Sequence, residues 1–216
     1  MGKAKSNKAR NMILRKQGFS VVEMMVAVSI IMILVAFAVL KLQPVTQELR
    51  ANAAMDQVKD AFRMGRETAI SQRRTIVIQF ANAGAGLCPA VGATYQCIEL
   101  SQISEPGNVV LPPYLVLPVE PTVQFMTFAG EPDLPIPDNN GIPAGGGVMF
   151  GGVSGGPPTG MEFQSDGTFT DGNANPISGT VFMGIANIPT SARAVAILGN
   201  TGRVHAFHGN GVGWNY

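Results

Sequence analysis

Between positions 75 and 192 the sequence contains no lysine and no arginine, although acidic residues occur throughout that stretch. The acids there are Glu99, Glu105, Glu120, Glu131, Asp133, Asp138, Glu162, Asp166 and Asp171. A surface with this charge balance repels phosphate backbones and anionic membrane surfaces. Binding of nucleic acid by this part of the chain is therefore not expected.

Histidine is also scarce, and the two that occur, His205 and His208, are three positions apart in a predicted strand. That spacing places their side chains on opposite faces, and no third metal ligand is evident. The glycine runs at 145–147 and 151–152 are followed by neither a lysine nor a helix, which argues against a phosphate loop. With no catalytic constellation in the sequence, we expect no enzyme activity, no metal and no cofactor.

The first eighteen residues lack acidic side chains but carry six basic ones: Lys3, Lys5, Lys8, Arg10, Arg15 and Lys16. An apolar run follows from Phe19 to Leu40. At about 1.5 Å of rise per residue, this run spans the roughly 30 Å hydrocarbon core of a bilayer. The basic end should remain in the cytoplasm. The sequence therefore predicts one membrane span at residues 19–41, with the remainder exported.

The start of this run has a distinctive pattern. A secretory signal would place its cleavage site after the apolar segment, whereas Gly18 precedes it. Glu23 lies inside the run, where a charge at mid-membrane costs about 2.5 to 3.5 kcal/mol and therefore calls for a partner. Gly18-Phe19-Ser20-Val21-Val22-Glu23 with the apolar run resembles the class III signal of type IV prepilins and type II secretion pseudopilins. The alternative is an ordinary signal anchor that contains a glutamate.

The resemblance implies that a prepilin peptidase and methyltransferase cuts after Gly18 and methylates the new N-terminal Phe19. Residues 1–18 would then be a leader that is removed. The resemblance further implies that Glu23 serves assembly with other pilins or pseudopilins at an inner-membrane assembly platform. The implied location is the bacterial inner membrane with a periplasmic C-terminal domain, and afterwards a pilus or pseudopilus fibre.

Two cysteines, Cys88 and Cys97, lie in a loop-like stretch on the exported side of the span. An even count in a translocated domain favours a disulfide, with two free thiols as the alternative. The loop that this bond closes is short, and its stabilisation by chain entropy is about 2 to 3 kcal/mol.

Beyond the span, residues 42–73 continue as an amphipathic helix, with a kink or break expected near Pro44. The apolar stripe consists of Ala51, Ala54, Met55, Val58, Ala61, Phe62, Gly65 and Ala69. Charged residues occupy the opposite face, where Arg63 is close enough in sequence to pair with Asp60 and Glu67. The stripe is predicted to face a core, and the charges to face solvent.

Residues 74–216 are predicted to form a β-rich globular domain. Strands are expected at 75–80, 95–100, 122–128, 161–164, 168–170, 180–186, 193–198 and 202–208. Prolines restrict residues 109–119 to an edge strand, and the glycine- and proline-rich residues 129–160 are predicted to be a long surface loop. The fold class is α+β, with a long N-terminal helix packed on an antiparallel sheet, as in pilins.

Three short motifs resemble the GspH/FimT branch of the pilin superfamily: residues 66–74, 163–167 and 201–204. The favoured function is a minor pilin or pseudopilin, a structural subunit of a type IV pilus or type II secretion pseudopilus. The alternative is a DNA-binding minor pilin that acts in DNA uptake, with Arg193, Arg203 and His205 as contacts. These residues lack the dense arginine cluster that phosphate binding requires, which favours the structural subunit.

Overall fold

A computed structural model of the protein describes residues 20–81, 96–104, 109–157, 159–210 and 212–215. The chain divides into two compact units, Met1–Gln43 and Pro44–Tyr216. The first contains the apolar part of the N-terminal helix, and the second contains the amphipathic part together with all of the strands described below.

Helix α1 spans Val21–Gln72. Pro44 lies inside this helix, so the break that the sequence allowed at that position does not occur. Its segment Val21–Ala38 has a mean hydropathy of 2.7 and none of it is buried. The hydroxyl group of Ser29 donates a hydrogen bond to the carbonyl oxygen of Met25, one turn earlier in the same helix, at 2.8 Å. By length and composition this segment can cross a bilayer, which fits an N-terminal membrane anchor.

The apolar stripe of α1 forms one side of the core, as predicted. All eight of its residues are buried, namely Ala51, Ala54, Met55, Val58, Ala61, Phe62, Gly65 and Ala69. The small side chains allow close approach: a Cβ on Gly65 would lie 3.1 Å from the Phe163 ring. Burial of this stripe against strands confirms the α+β class with a long N-terminal helix.

The first antiparallel sheet has the strand order β3-β2-β1-β8-β9, with β4 also paired to β2. Its strands are β1 Ile76–Ala81, β2 Cys97–Ser104, β3 Val109–Val110, β4 Leu115–Pro118, β8 Met161–Phe163 and β9 Phe169–Asp171. Both β3 and β4 pair only with β2, so the proline-rich stretch forms edge strands as expected.

The second antiparallel sheet has the order β13-β12-β11-β10-β6-β7, with β5 also paired to β10. Its strands are β5 Gln124–Phe125, β6 Val148–Phe150, β7 Val153–Ser154, β10 Gly179–Ile185, β11 Ile188–Leu198, β12 Arg203–Gly209 and β13 Trp214–Asn215. A turn after Leu198 joins β11 to β12, which pair from Leu198↔Arg203 to Arg193↔His208.

Phe62 joins the helix to both sheets. Its ring centroid lies 6.3 Å from that of Phe163 in β8 and 6.2 Å from that of Phe150 in β6. Phe169 in β9 lies 6.0 Å away in an edge-to-face arrangement. Such aromatic pairs stabilise by roughly 0.5 to 1.5 kcal/mol beyond their burial. The core is therefore one layer of side chains shared by α1 and the two sheets.

Residues 129–160, predicted as a surface loop, contain two strands and several buried side chains. Phe150 is fully buried, and β6 pairs with β10 from Gly179↔Phe150 to Val181↔Val148. Three-residue strands among glycines carry too little periodicity to be found from sequence. Conversely, the strand expected at 122–128 is reduced to Gln124–Phe125, because a turn from Glu120 to Val123 occupies its beginning.

Residues 131–140, here called the cover segment, lie on the face of the second sheet that points away from α1. Leu134 is buried in one cluster with Phe182, Ala194, Ala196 and Phe207. These residues alternate along their strands with Val181, Val195 and Ile197, which join the helix-facing core. The indole Nε1 of Trp214 donates to the carbonyl oxygen of Pro132 at 2.8 Å. The cover segment thus gives the sheet a second buried face.

Candidate functional site

Glu23 occupies the first turn of α1 and is exposed. Among the side chains of Val21–Ala38, Ser29 is the only other polar one. In a bilayer such a carboxylate requires a partner, because the hydrocarbon around it cannot solvate a charge. Gly18 and Phe19, the predicted processing residues, lie outside the described residues.

Cys97 begins β2 and is buried against Ala81 and Val116. Cys88 lies outside the described residues, so the disulfide remains a prediction from the sequence.

Arg193, predicted as a nucleic-acid contact, is buried between α1 and the second sheet with 2% of its side chain exposed. Its Nε donates to the Asn52 Oδ1 atom at 2.6 Å, and its other donors reach the carbonyl oxygens of Thr190 and Ala192. Glu48 on α1 lies 3.7 Å away and provides the opposite charge. The guanidinium joins the sheet to the helix and is not presented to a polyanion.

His208 in β12 is paired with Arg193 in the neighbouring strand β11. Burial lowers the pKa of His208 below its ordinary value, and the positive charge of Arg193 lowers it further. Both residues line a cleft of about 360 Å³, together with Pro44, Glu48, Ser191 and Asn215. The site favours a neutral imidazole.

His205 lies on the opposite face of β12 and is engaged by the cover segment. Its Nδ1 is 2.7 Å from the Oδ2 atom of Asp138, a carboxylate with no exposed surface. The side chain of His205 is 15% exposed. The two histidines therefore point in opposite directions, as their spacing predicted, and His205 serves to fix the cover segment.

Arg203 is exposed and lines a groove of about 440 Å³ at the beginning of β12. The helix contributes Arg63 and Arg66 to the same groove, and Glu67 is the acidic residue among its lining. Arg66 is held in place because its Nε donates to the carbonyl oxygen of Gly167 at 3.2 Å. Three guanidinium groups thus meet at one site.

Sequence reasoning did not find this cluster, because Arg63 and Arg66 were assigned to a solvated helix face. Their spacing of three positions places both on one side of α1, but no pattern in the sequence links them to Arg203. The expected pairs of Arg63 with Asp60 and Glu67 are also not formed: in the described part of the chain, none of these carboxylates is within 4.0 Å of it. The fold alone brings the three arginines together.

Comparison with protein families identifies the prokaryotic N-terminal methylation motif at residues 13–39. The match includes Gly18, Phe19 and Glu23 together with most of the apolar helix. Searches of curated proteins and of solved structures return no match.

The motif, placed on an exposed apolar helix, indicates a type IV pilin-like or pseudopilin precursor. A motif of this kind implies assembly with other pilins and processing by a prepilin peptidase.

Proposed function

We propose that the protein is a minor pilin or pseudopilin, a structural subunit of a type IV pilus or a type II secretion pseudopilus. The observation that carries this proposal is the methylation motif placed on an exposed apolar helix, with Glu23 in its first turn. Assignment to the GspH/FimT branch belongs to the same proposal. It is supported by the order of a helix followed by antiparallel sheets and by the hairpin turn at 199–202.

In this proposal the peptidase cuts after Gly18, and the inner membrane holds the subunit with its C-terminal domain in the periplasm. Cleavage would create a positive amine on Phe19, near the membrane depth of Glu23. In a packed fibre the amine of a neighbouring subunit would pair with the carboxylate, because an unpaired charge in that low-dielectric setting is strongly unfavourable. The pairing would set the axial register of each arriving subunit. No reaction other than processing is proposed.

The proposal is tested with Glu23→Gln, which removes the charge and keeps the shape. We expect normal membrane insertion and normal cleavage after Gly18, but loss of the subunit from sheared fibres and from complexes with other methylation-motif proteins. Ser29→Ala, a polar change in the same helix, is the matched control and should assemble normally. Normal assembly of Glu23→Gln would refute this role, and loss of cleavage would assign Glu23 to recognition by the peptidase.

Of the three residues predicted to contact DNA in the DNA-uptake alternative, one is accessible to a ligand. Arg193 is buried and His205 is bound to Asp138, so only Arg203 is presented to solvent. The groove that joins Arg203 to Arg63 and Arg66 is the observation in favour of this alternative. Three arginines among exposed acids such as Asp60 and Asp166 supply few phosphate contacts, and the structural role is therefore preferred.

A further inference from the structure

The arginine groove, formed by Arg63, Arg66 and Arg203, concentrates positive charge that forms no ion pair within the described part of the chain. Within those residues, no carboxylate oxygen lies within 4.0 Å of any of the three guanidinium groups. Other basic residues of the same helix do have partners: Lys59 pairs with Asp56, and Arg50 lies 3.8 Å from Glu120. The groove is therefore a place where three arginines without a paired carboxylate lie together.

The groove is preformed by close backbone packing. Gly167 and Gly202 have φ values of 86° and 60°, and a Cβ on either would lie 3.0 Å or less from the Arg66 Nε atom. Arg66 is consequently fixed against the two turns, while Arg63 and Arg203, which line the same groove, are exposed. Fixed guanidinium groups bind carboxylates well, because their planar donors match the two oxygens.

We propose that this groove binds a carboxylate side chain presented by a neighbouring subunit of the fibre; this inference rests on the subunit function proposed above. Charge complementarity supports a subunit of this kind as the partner. After the leader, the chain itself carries nine basic residues against fourteen acids. A surface of similar composition on a neighbour would offer carboxylates to the groove and few competing cations.

A nucleic acid fits the groove less well than a single carboxylate does. Glu67 lines the groove itself, and Asp166 is exposed next to the Gly167 turn. A duplex carries one negative charge for about every 1.7 Å of its axis, so its phosphates would meet these acids as well as the arginines. A single carboxylate brings one negative charge to a groove lined by three arginines and one glutamate, whose net charge is positive.

The first test is charge reversal at the two exposed arginines in the full chain, R63E/R203E, in cells that assemble the fibre. Arg66 is left unchanged because it holds the Gly167 turn. We expect the amount of subunit in sheared fibres to fall by about tenfold or more. The matched control is R73E/R74E, an equal change at two exposed arginines that do not line the groove. It should assemble like the wild type, and both variants should insert, be cleaved and unfold at the wild-type temperature.

The second test identifies the partner with a photoreactive phenylalanine analogue inserted at position 203. The expected crosslink is to a peptide that contains Asp or Glu and belongs to a protein with the same methylation motif. Reversal of that acid to Arg should restore assembly of R63E/R203E. A crosslink to nucleic acid, or wild-type assembly of R63E/R203E, would overturn the groove proposal while leaving the subunit function intact. If the wild-type chain never associates with other methylation-motif proteins, both proposals fail.

Discussion

Buried polar side chains fix the relative positions of the helix, the second sheet and the cover segment. Arg193 in β11 donates hydrogen bonds to Asn52 on α1 and to the carbonyl oxygens of Thr190 and Ala192. Asp138 and His205 join the cover segment to β12. A buried polar group that loses its partner retains the full penalty of desolvation, so the stability of the fold should depend strongly on these few residues.

Replacement of Arg193 by methionine should lower the free energy of unfolding by about 2 to 4 kcal/mol, because Asn52 and the carbonyl oxygens lose their donor. The measurement is denaturant unfolding of the full chain in detergent, followed by the fluorescence of Trp214, the only tryptophan. Arg203→Met, at an exposed position, is the matched control and should remain within about 0.5 kcal/mol of wild type. Similar values for the two variants would contradict the role assigned to Arg193.

The Asp138–His205 pair is tested by a double-mutant cycle. His205→Ala leaves a fully buried carboxylate without its imidazole and should destabilise by about 3 to 5 kcal/mol. Asp138→Ala/His205→Ala should cost less than the sum of the single changes, with a coupling energy of about 1 to 3 kcal/mol. Additive single changes would show that the contact does not stabilise the cover segment.

His208 gives the domain a dependence on pH. Its pKa in the folded chain is lowered, first by burial and then by Arg193, whereas an unfolded imidazole titrates near about 6.5. Between these two values the unfolded state binds more protons, so the free energy of unfolding should rise with pH. Its contribution is fully present above about pH 6.5 and is lost as the pH falls through the folded pKa. His208→Gln should reduce this slope, and an unchanged slope would refute the assignment.

At the level of elements, the tight junction at Gly147 determines how the chain enters β6. Its φ is 68°, and an added Cβ would lie 2.2 Å from the backbone nitrogen of Met126. Gly147→Ala should therefore destabilise by about 3 kcal/mol or more, because backbone atoms must move. Gly152→Ala is the matched control, since its φ is 76° but nothing lies within 4 Å of the added carbon. It should cost only about 1 kcal/mol in the same unfolding experiment.

The predictability of each element follows from the length of its periodic signal. The stripe of α1 repeats over five turns, and the strands β10 to β12 are each seven residues or longer, so the sequence predicted them. Strands β6, β7 and β13 have two or three residues each, which is too short for a periodic pattern to be recognised. In addition, β6 pairs with β10, which is distant in sequence, and no local pattern encodes that contact.

The candidate sites divide in the same way. The predicted processing residues Gly18 and Phe19 lie within five positions of Glu23, so the sequence was sufficient to identify the motif. The arginine groove combines residues from a helix and from a hairpin that is distant in sequence. Whether Arg193 is buried or exposed depends on which face of β11 packs against α1. Only the folded chain distinguishes a buried arginine from an exposed one.

For the whole molecule, the distribution of charge along the chain separates the leader from the remainder. The predicted leader carries six basic residues and no acid, while the rest has nine basic residues against fourteen acids. Cleavage after Gly18, as proposed, would therefore change the net charge of the chain from positive to negative. Any measurement of binding to nucleic acid has to use the processed chain, because the leader alone attracts phosphates.

The processed chain in detergent should bind duplex DNA weakly at physiological salt. Each phosphate contact contributes about −0.9 to the slope of log K against log salt, so the three arginines of the groove limit the slope to about −3. Arg203→Ala should reduce it by about one such step, and Arg193→Met should leave it unchanged because that guanidinium is buried. A slope near −6 or steeper would require phosphate contacts beyond the groove. Together with tight binding, it would favour the DNA-uptake function over the structural subunit.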